Sequence, residues 1–120
     1  MKKRLILAIT GASGSIFAIE FLKLMKEKGV EVHAIISNAG RKVMELEEGI
    51  SGDDISDLAT AWYDIDDFAA PMSSGSAKFE AMLVLPCSMG TLAAIANGIS
   101  GNLIHRAADV TLKENSLNIH

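Results

Sequence analysis

The stretch from Lys3 to Ser15 constrains this chain more than any other: an apolar run, Leu5-Ile6-Leu7-Ala8-Ile9, stops abruptly in Thr10-Gly11-Ala12-Ser13-Gly14-Ser15. Unbroken aliphatics describe a strand covered on both faces, the condition of a parallel sheet, and small residues directly after it let the backbone turn sharply into a helix. A helix that begins there presents N–H groups without intrahelical acceptors and with positive partial charge, so the turn is a candidate anion cradle. A dinucleotide fold calls for G-x-G-x-x-G and an acid at the end of the second strand to hold a ribose. Here Gly11 and Gly14 are present, Phe17 stands where a last glycine belongs, and the second apolar run, Val30 to Ile36, ends in Ser37-Asn38 with no acid. A hydroxyl and an amide suit a phosphate better than a ribose. The pattern therefore favours a mononucleotide such as FMN over NAD(P), with a ligand-free structural turn as the remaining alternative.

Further along, Ile16 to Lys28 reads as a helix buried on most sides, with Gly29 closing it, and the strand at Val30 completes a right-handed βαβ unit. Asn38 to Glu48 is expected to be a second helix, followed by a short one around Ile55 to Trp62. Phe68 to Ser76 is rich in small residues and reads as a loop or an edge strand. Ala81 to Leu85 is the third buried strand. It ends in a second hydroxyl-rich turn, Pro86-Cys87-Ser88-Met89-Gly90-Thr91, before helices at Leu92 to Asn97 and Leu103 to Glu114. The expectation is one α/β domain over residues 1–120, Rossmann-like, with a parallel sheet between two helical layers and incomplete at the C-terminus.

Composition excludes several function classes. A net charge of −4 gives no field to attract nucleic acid. One cysteine rules out an intrachain disulfide framework, no Cys/His/Asp/Glu spacing suits a metal, and the aspartates between Asp53 and Asp67 read as a solvated, helix-capping surface. Lys2-Lys3-Arg4 precedes an apolar run too short for a secretory signal, and no run approaches the roughly 20 residues that span a bilayer, so a cytoplasmic protein is expected. An apolar content of 49% implies either that much surface is buried between subunits or that the chain is part of something larger.

In a parallel sheet the ligand lies beyond the C-terminal ends of the strands, so both turns and Ser37 should face one crevice. Cys87 reads as a small buried thiol, and His33 and His105 as core or interface histidines. Ser13 and Ser15 do not form G-x-S-x-G and read as hydrogen-bonding groups for phosphate or flavin. Arg106 is different: on an otherwise apolar helix its charge is costly unless a phosphate or carboxylate meets it.

Thr10-Gly11-Ala12-Ser13-Gly14, Ser73-Ser74-Gly75-Ser76, Pro86 to Thr91 and, most specifically, Arg106-Ala107-Ala108-Asp109-Val110-Thr111-Leu112-Lys113-Glu114 resemble the flavin prenyltransferase family (UbiX-type), in order from about Lys3 to Glu114. The resemblance implies a Rossmann-like flavoprotein that assembles as a homo-oligomeric dodecamer. It further implies metal-free transfer of a dimethylallyl group from dimethylallyl phosphate to N5 and C6 of reduced FMN. The product, prenylated FMN, is used by a partner decarboxylase of the UbiD type. By position, Gly11, Ala12, Ser13, Ser37, Ser88, Met89, Gly90, Thr91 and Arg106 would hold FMN, with Ser37, Thr91 and Arg106 near its phosphate. Ser15, Glu47 and Lys113 would lie near the transferred group: Lys113 to neutralise the departing phosphate, Glu47 or Ser15 to move a proton. Such roles agree with elementary chemistry, since cationic donors at an allylic phosphate stabilise charge that develops as it leaves, and a dry pocket protects an allyl cation from water.

The sequence departs from the family after Lys113-Glu114. There the family continues into a strand, an Arg-Glu pair, and later a Tyr and an Arg that bind the prenyl phosphate, whereas this chain reads Asn115-Ser116-Leu117-Asn118-Ile119-His120. Residues 115–119 are expected to be too short and polar for a strand. The chain is accordingly expected to be a fragment or shortened relative that binds FMN and is deficient in prenyl transfer. Two alternatives stand beside the transferase: a non-catalytic FMN-binding subunit, and an FMN-dependent decarboxylase of the peptidyl-cysteine type. The latter shares the fold but needs a histidine after the second helix, and none occurs from Gly49 to Ser76.

Overall fold

The computed structural model describes residues 3–74, 77–113 and 117–120, apart from the side chains of Lys113 and Asn118. In chain order the elements are β1 (Arg4–Ile9), α1 (Ser15–Glu27), β2 (Glu31–Ile36), α2 (Asn38–Glu48), α3 (Gly52–Ile55), β3 (Ala61–Tyr63), a 3₁₀ turn (Pro71–Ser73), β4 (Ala81–Val84), α4 (Met89–Ala96), α5 (Leu103–Lys113) and β5 (Leu117–Ile119). The strands form one sheet in the order β3-β2-β1-β4-β5, and every neighbouring pair is parallel.

Side chains alternate across a strand, so the aliphatics of β1 serve two cores. Ile6 and Ala8 face α4, α5 and the 3₁₀ turn, in a cluster with Met72, Met82, Val84, Leu103 and Ile104. Leu7 and Ile9 face the other way, against Ala18, Ile19 and Leu22 of α1, Met44 of α2 and Ile55 of α3. The expected three-layer α/β architecture is present, with β1 at its centre.

Several local expectations are corrected. The helix expected over Ile55 to Trp62 lies earlier, because the Ser51 backbone N–H donates to Asp54 Oδ2 at 2.9 Å in a capping box that starts α3 at Gly52. Trp62 then falls in β3, where Ala34 is its register partner on β2. Phe68 to Ser76 contributes no strand among its described residues; Pro71 opens a 3₁₀ turn instead, and Gly75 and Ser76 lie outside the described residues. The C-terminal segment does contain a strand. β5 pairs with β4 through Met82–Leu117 and Val84–Ile119, and Leu117 and Ile119 pack on the α5-side core. Backbone pairing at an edge requires little of the sequence. Finally, α1 is not buried on most sides: Ser15, Ala18, Ile19 and Leu22 are buried, whereas Phe17 is 64% and Leu24 46% exposed.

This one-sided burial makes a direct prediction. Leu22→Ala should destabilise the chain by about 2–5 kcal/mol through lost burial and a residual cavity, whereas Leu24→Ala should change stability by less than about 1 kcal/mol. Urea unfolding midpoints of the two variants measure the difference, and equal losses would contradict the burial of α1 along one face.

Candidate functional site

From β1 the chain winds outward through β2 to β3, and then returns to the other side of β1 to lay down β4 and β5. The connections leaving β1 and β4 therefore diverge, and a crevice opens beyond the C-terminal ends of these two strands. Its walls are the two hydroxyl-rich turns and the start of α2.

The first turn packs tightly on α2. A Cβ built on Gly11 would lie 2.5 Å from Ala39 Cβ, and Gly14, at φ 110°, adopts a left-handed conformation that disfavours any other residue. Ser37 caps α2, its Oγ accepting from the Gly40 N–H at 2.9 Å, while the Ser37 N–H reaches back to the Ile9 carbonyl at 3.0 Å. In the second turn Ser88 caps α4: its Oγ accepts from the Thr91 N–H at 3.2 Å and donates to Thr91 Oγ1 at 2.9 Å. Met89 is 78% exposed at the head of α4, and a Cβ on Gly90 would meet nothing within 4 Å. The N–H groups of Met89 and Gly90 belong to a first helical turn, which has no intrahelical acceptors.

One residue outside the expected set joins the two turns. The hydroxyl of Thr10, only 2% exposed, donates to the Pro86 carbonyl at 2.7 Å and accepts from the Ser88 N–H at 2.7 Å. The signal in the sequence is a hydroxyl closing an otherwise aliphatic buried strand.

Glu47 corrects the picture of an open anion cradle at the start of α1. Reaching across from the last turn of α2, its carboxylate accepts from Ser13 Oγ at 2.6 Å, the Gly14 N–H at 3.2 Å and the Ser15 N–H at 3.4 Å. The chain's own carboxylate thus takes the Gly14 and Ser15 amides at the start of α1, whereas the starts of α2 and α4 are capped by serine hydroxyls. These contacts hold the Glu47 carboxyl below the ordinary carboxylate range. The Ser13 hydroxyl contributes most, then the Gly14 and Ser15 amides, with the Ser15 hydroxyl, outside hydrogen-bond distance, adding least. Ser15 Oγ is fully buried and has no hydrogen-bond partner among the described residues.

Arg106 is exposed rather than buried, because it lies on the outer side of α5, where Ala107 and Ala108 face the core. Its Nε donates to the Ser73 carbonyl at 3.1 Å. The cost argued from a buried charge does not apply. Lys113 is the last residue of α5, and its side chain lies outside the described residues.

The remaining candidates are structural. Burial pushes the half-buried Cys87 thiol up, opposite to an activated nucleophile. His33 Nδ1 meets Tyr63 Oη at 2.9 Å and its Nε2 is buried without a partner among the described residues; burial first, then the Arg4 charge, lowers its pKa. Among the described residues, no group of three or more His, Cys, Asp or Glu side chains is placed to hold a metal ion, and no helix is long and apolar enough to cross a membrane. A cavity of about 280 Å³ lies between Met44, Ile50, Ile55 and Trp62, reaching Ile36 and Arg41 beside the start of α2, and none of the hydroxyls of the two turns lines it.

A carboxylate whose pKa is lowered by folding adds stability that is fully present above its unfolded value and is lost as pH falls through the folded one. Replacing Glu47 by Gln should therefore lower the urea midpoint at about pH 7, and the gap from the wild type should narrow as pH falls below the ordinary carboxylate range. A gap independent of pH would show that the ionised carboxylate is not what holds the start of α1.

The Flavoprotein family model matches residues 1–117. A flavin prenyltransferase, UbiX, from Methanocaldococcus jannaschii is 50% identical over 111 residues, which are 92% of this chain and 60% of that protein. The chain thus spans about 60% of the length of this relative. Among solved structures, AnUbiX (PadA1) in complex with FMN and dimethylallyl pyrophosphate superposes with a TM-score of 0.94 at 39% identity, covering 98% of this chain and 63% of that one. A dodecameric FMN-dependent UbiX-like decarboxylase from Escherichia coli O157:H7 superposes with a TM-score of 0.91 at 39% identity, covering 98% and 66%. With the family model matching nearly the whole chain, and relatives this similar in sequence and shape, the chain belongs to the Flavoprotein family.

Proposed function

We propose that this chain binds FMN in the crevice between its two hydroxyl-rich turns and serves the prenylation of reduced FMN by dimethylallyl phosphate. The observation that carries the reading is the convergence of capped helix starts at Ser37 and Ser88 on the point where the strand order reverses. The donor set fits the cofactor. Two first helical turns and the hydroxyls of Ser37 and Thr91 suit a phosphate, Ser13 and Ser88, whose protons go to Glu47 and Thr91, can accept from a ribityl chain, and the open space at Gly90 leaves room for a ring system. Gly11, Ala12 and Met89 supply backbone and surface around it, and Arg106 supplies a cation.

When bound and reduced, the flavin supplies nucleophilic ring atoms. The chain's own groups do the rest. Glu47, ionised at neutral pH, is a proton acceptor already oriented by Ser13 and the α1 amides. Ser15, whose buried hydroxyl has no partner among the described residues, is the alternative group for moving a proton. Lys113 is assigned to the departing phosphate, where a cation stabilises developing charge. The product would serve a decarboxylase of the UbiD type. Phe17, Leu46 and Met89, 64%, 86% and 78% exposed, are assigned to contacts between copies of the chain. A second reading, an FMN-binding subunit without transferase activity, is supported by the engagement of the Glu47 carboxylate with Ser13, Gly14 and Ser15.

Three measurements test these assignments. Titration should show FMN binding at least tenfold tighter than riboflavin, and Arg106→Ala should weaken FMN by about tenfold with little effect on riboflavin. Equal binding of the two flavins would remove the phosphate from the account. Incubation with reduced FMN and dimethylallyl phosphate separates the two readings: prenylated FMN detected by mass spectrometry supports the transferase, and tight FMN binding with no product supports the binding subunit. Sedimentation at micromolar concentration should show an oligomer, and a well-folded monomer would contradict the subunit contacts.

A further inference from the structure

We propose that Thr10 is a positioning residue: its hydroxyl is the clasp that sets the α4 turn against the first turn and so fixes the width of the crevice. Between β1 and β4 the ladder ends with the Leu85 N–H donating to the Ala8 carbonyl at 2.9 Å and the Thr10 N–H donating to the Pro86 carbonyl at 3.1 Å. Beyond that rung the backbones part, one toward α1 and the other toward α4, and backbone pairing cannot follow. The Thr10 side chain takes over there. It donates its one proton to the Pro86 carbonyl at 2.7 Å and offers a lone pair to the Ser88 N–H at 2.7 Å.

Through Ser88 the clasp extends into α4. The residue whose N–H is held by Thr10 is the one whose Oγ caps the helix and bonds Thr91. Moving Ser88 therefore moves the Met89 and Gly90 amides and the Thr91 hydroxyl together. A threonine suits the post because two substituents on Cβ restrict χ1, so the hydroxyl is held in place before any ligand arrives. Valine has the same shape and makes neither bond, leaving the Ser88 N–H in a half-buried site without its acceptor.

The test uses the full chain with Thr10→Val and Thr10→Ser, and reads amide exchange by NMR without ligand and flavin affinity with FMN. In the wild type the Ser88 amide should be protected; exchange at the rate of a free peptide would overturn the proposal, whatever the variants do. In Thr10→Val, Ser88 exchange should rise about tenfold to hundredfold while Leu7 and Ile35 stay protected, and FMN should bind at least tenfold more weakly. Thr10→Ser should restore both to within about threefold of the wild type, which a merely destabilised fold would not show. A folded Thr10→Val with wild-type Ser88 exchange, or with wild-type FMN affinity, refutes the clasp. The functional arm rests on the FMN reading: failure of the wild type to bind FMN would refute that reading, and the clasp would then stand or fall on Ser88 exchange alone.

Discussion

Everything in the crevice depends on β1 being paired on both edges. Leu5 to Ala8 match Val32 to Ile35 on β2 and Ala81 to Val84 on β4, so one strand sets the height at which three connections leave the sheet. Because β1 is buried on both faces, a slip of one residue would turn Ile6 and Ala8 toward α1 and Leu7 and Ile9 toward α5, disrupting two cores at once. Register is therefore strongly specified, and with it the relative heights of Thr10, Ser37 and Pro86. The site inherits its strand heights from packing, and the Thr10 hydroxyl then ties the two turns together across the gap.

On that frame the chain places one internal anion. Helix α1 begins at a glycine that has no side chain to cap it, and the cap arrives from Glu47, on the neighbouring helix. The arrangement links the ends of α1 and α2 and leaves a negative charge beside a buried, unpartnered serine hydroxyl. Charge and capping thus distinguish the two sides of the crevice: a carboxylate holds the start of α1, whereas serine hydroxyls cap the starts of α2 and α4.

The sequence made the centre of this fold legible and left its edges dark. β1, β2 and β4 announce themselves as aliphatic runs because burial on both faces demands apolar side chains at every position. β3 and β5 are three-residue edge strands whose pairing rests on backbone hydrogen bonds, which ask little of the side chains. The exposed flank of α1 was hidden for the opposite reason: Phe17 and Leu24 are as apolar as core residues, and composition alone does not tell a core from an exposed patch. Local sequence shows a helix start after the first turn, but the carboxylate that meets it lies 33 residues away, and the bonds of Thr10 span 76 and 78. Contacts of that range follow from topology, and only the family resemblance brought Glu47 forward.

The central claim is that the two turns and the start of α2 act as one ligand site. Amide chemical-shift mapping during an FMN titration tests it most directly. The account predicts the largest perturbations at residues 11–15, 37–40 and 88–91, saturating together with a single affinity. Perturbations centred instead on Trp62 and the cavity between α2 and α3, with the two turns unmoved, would contradict it.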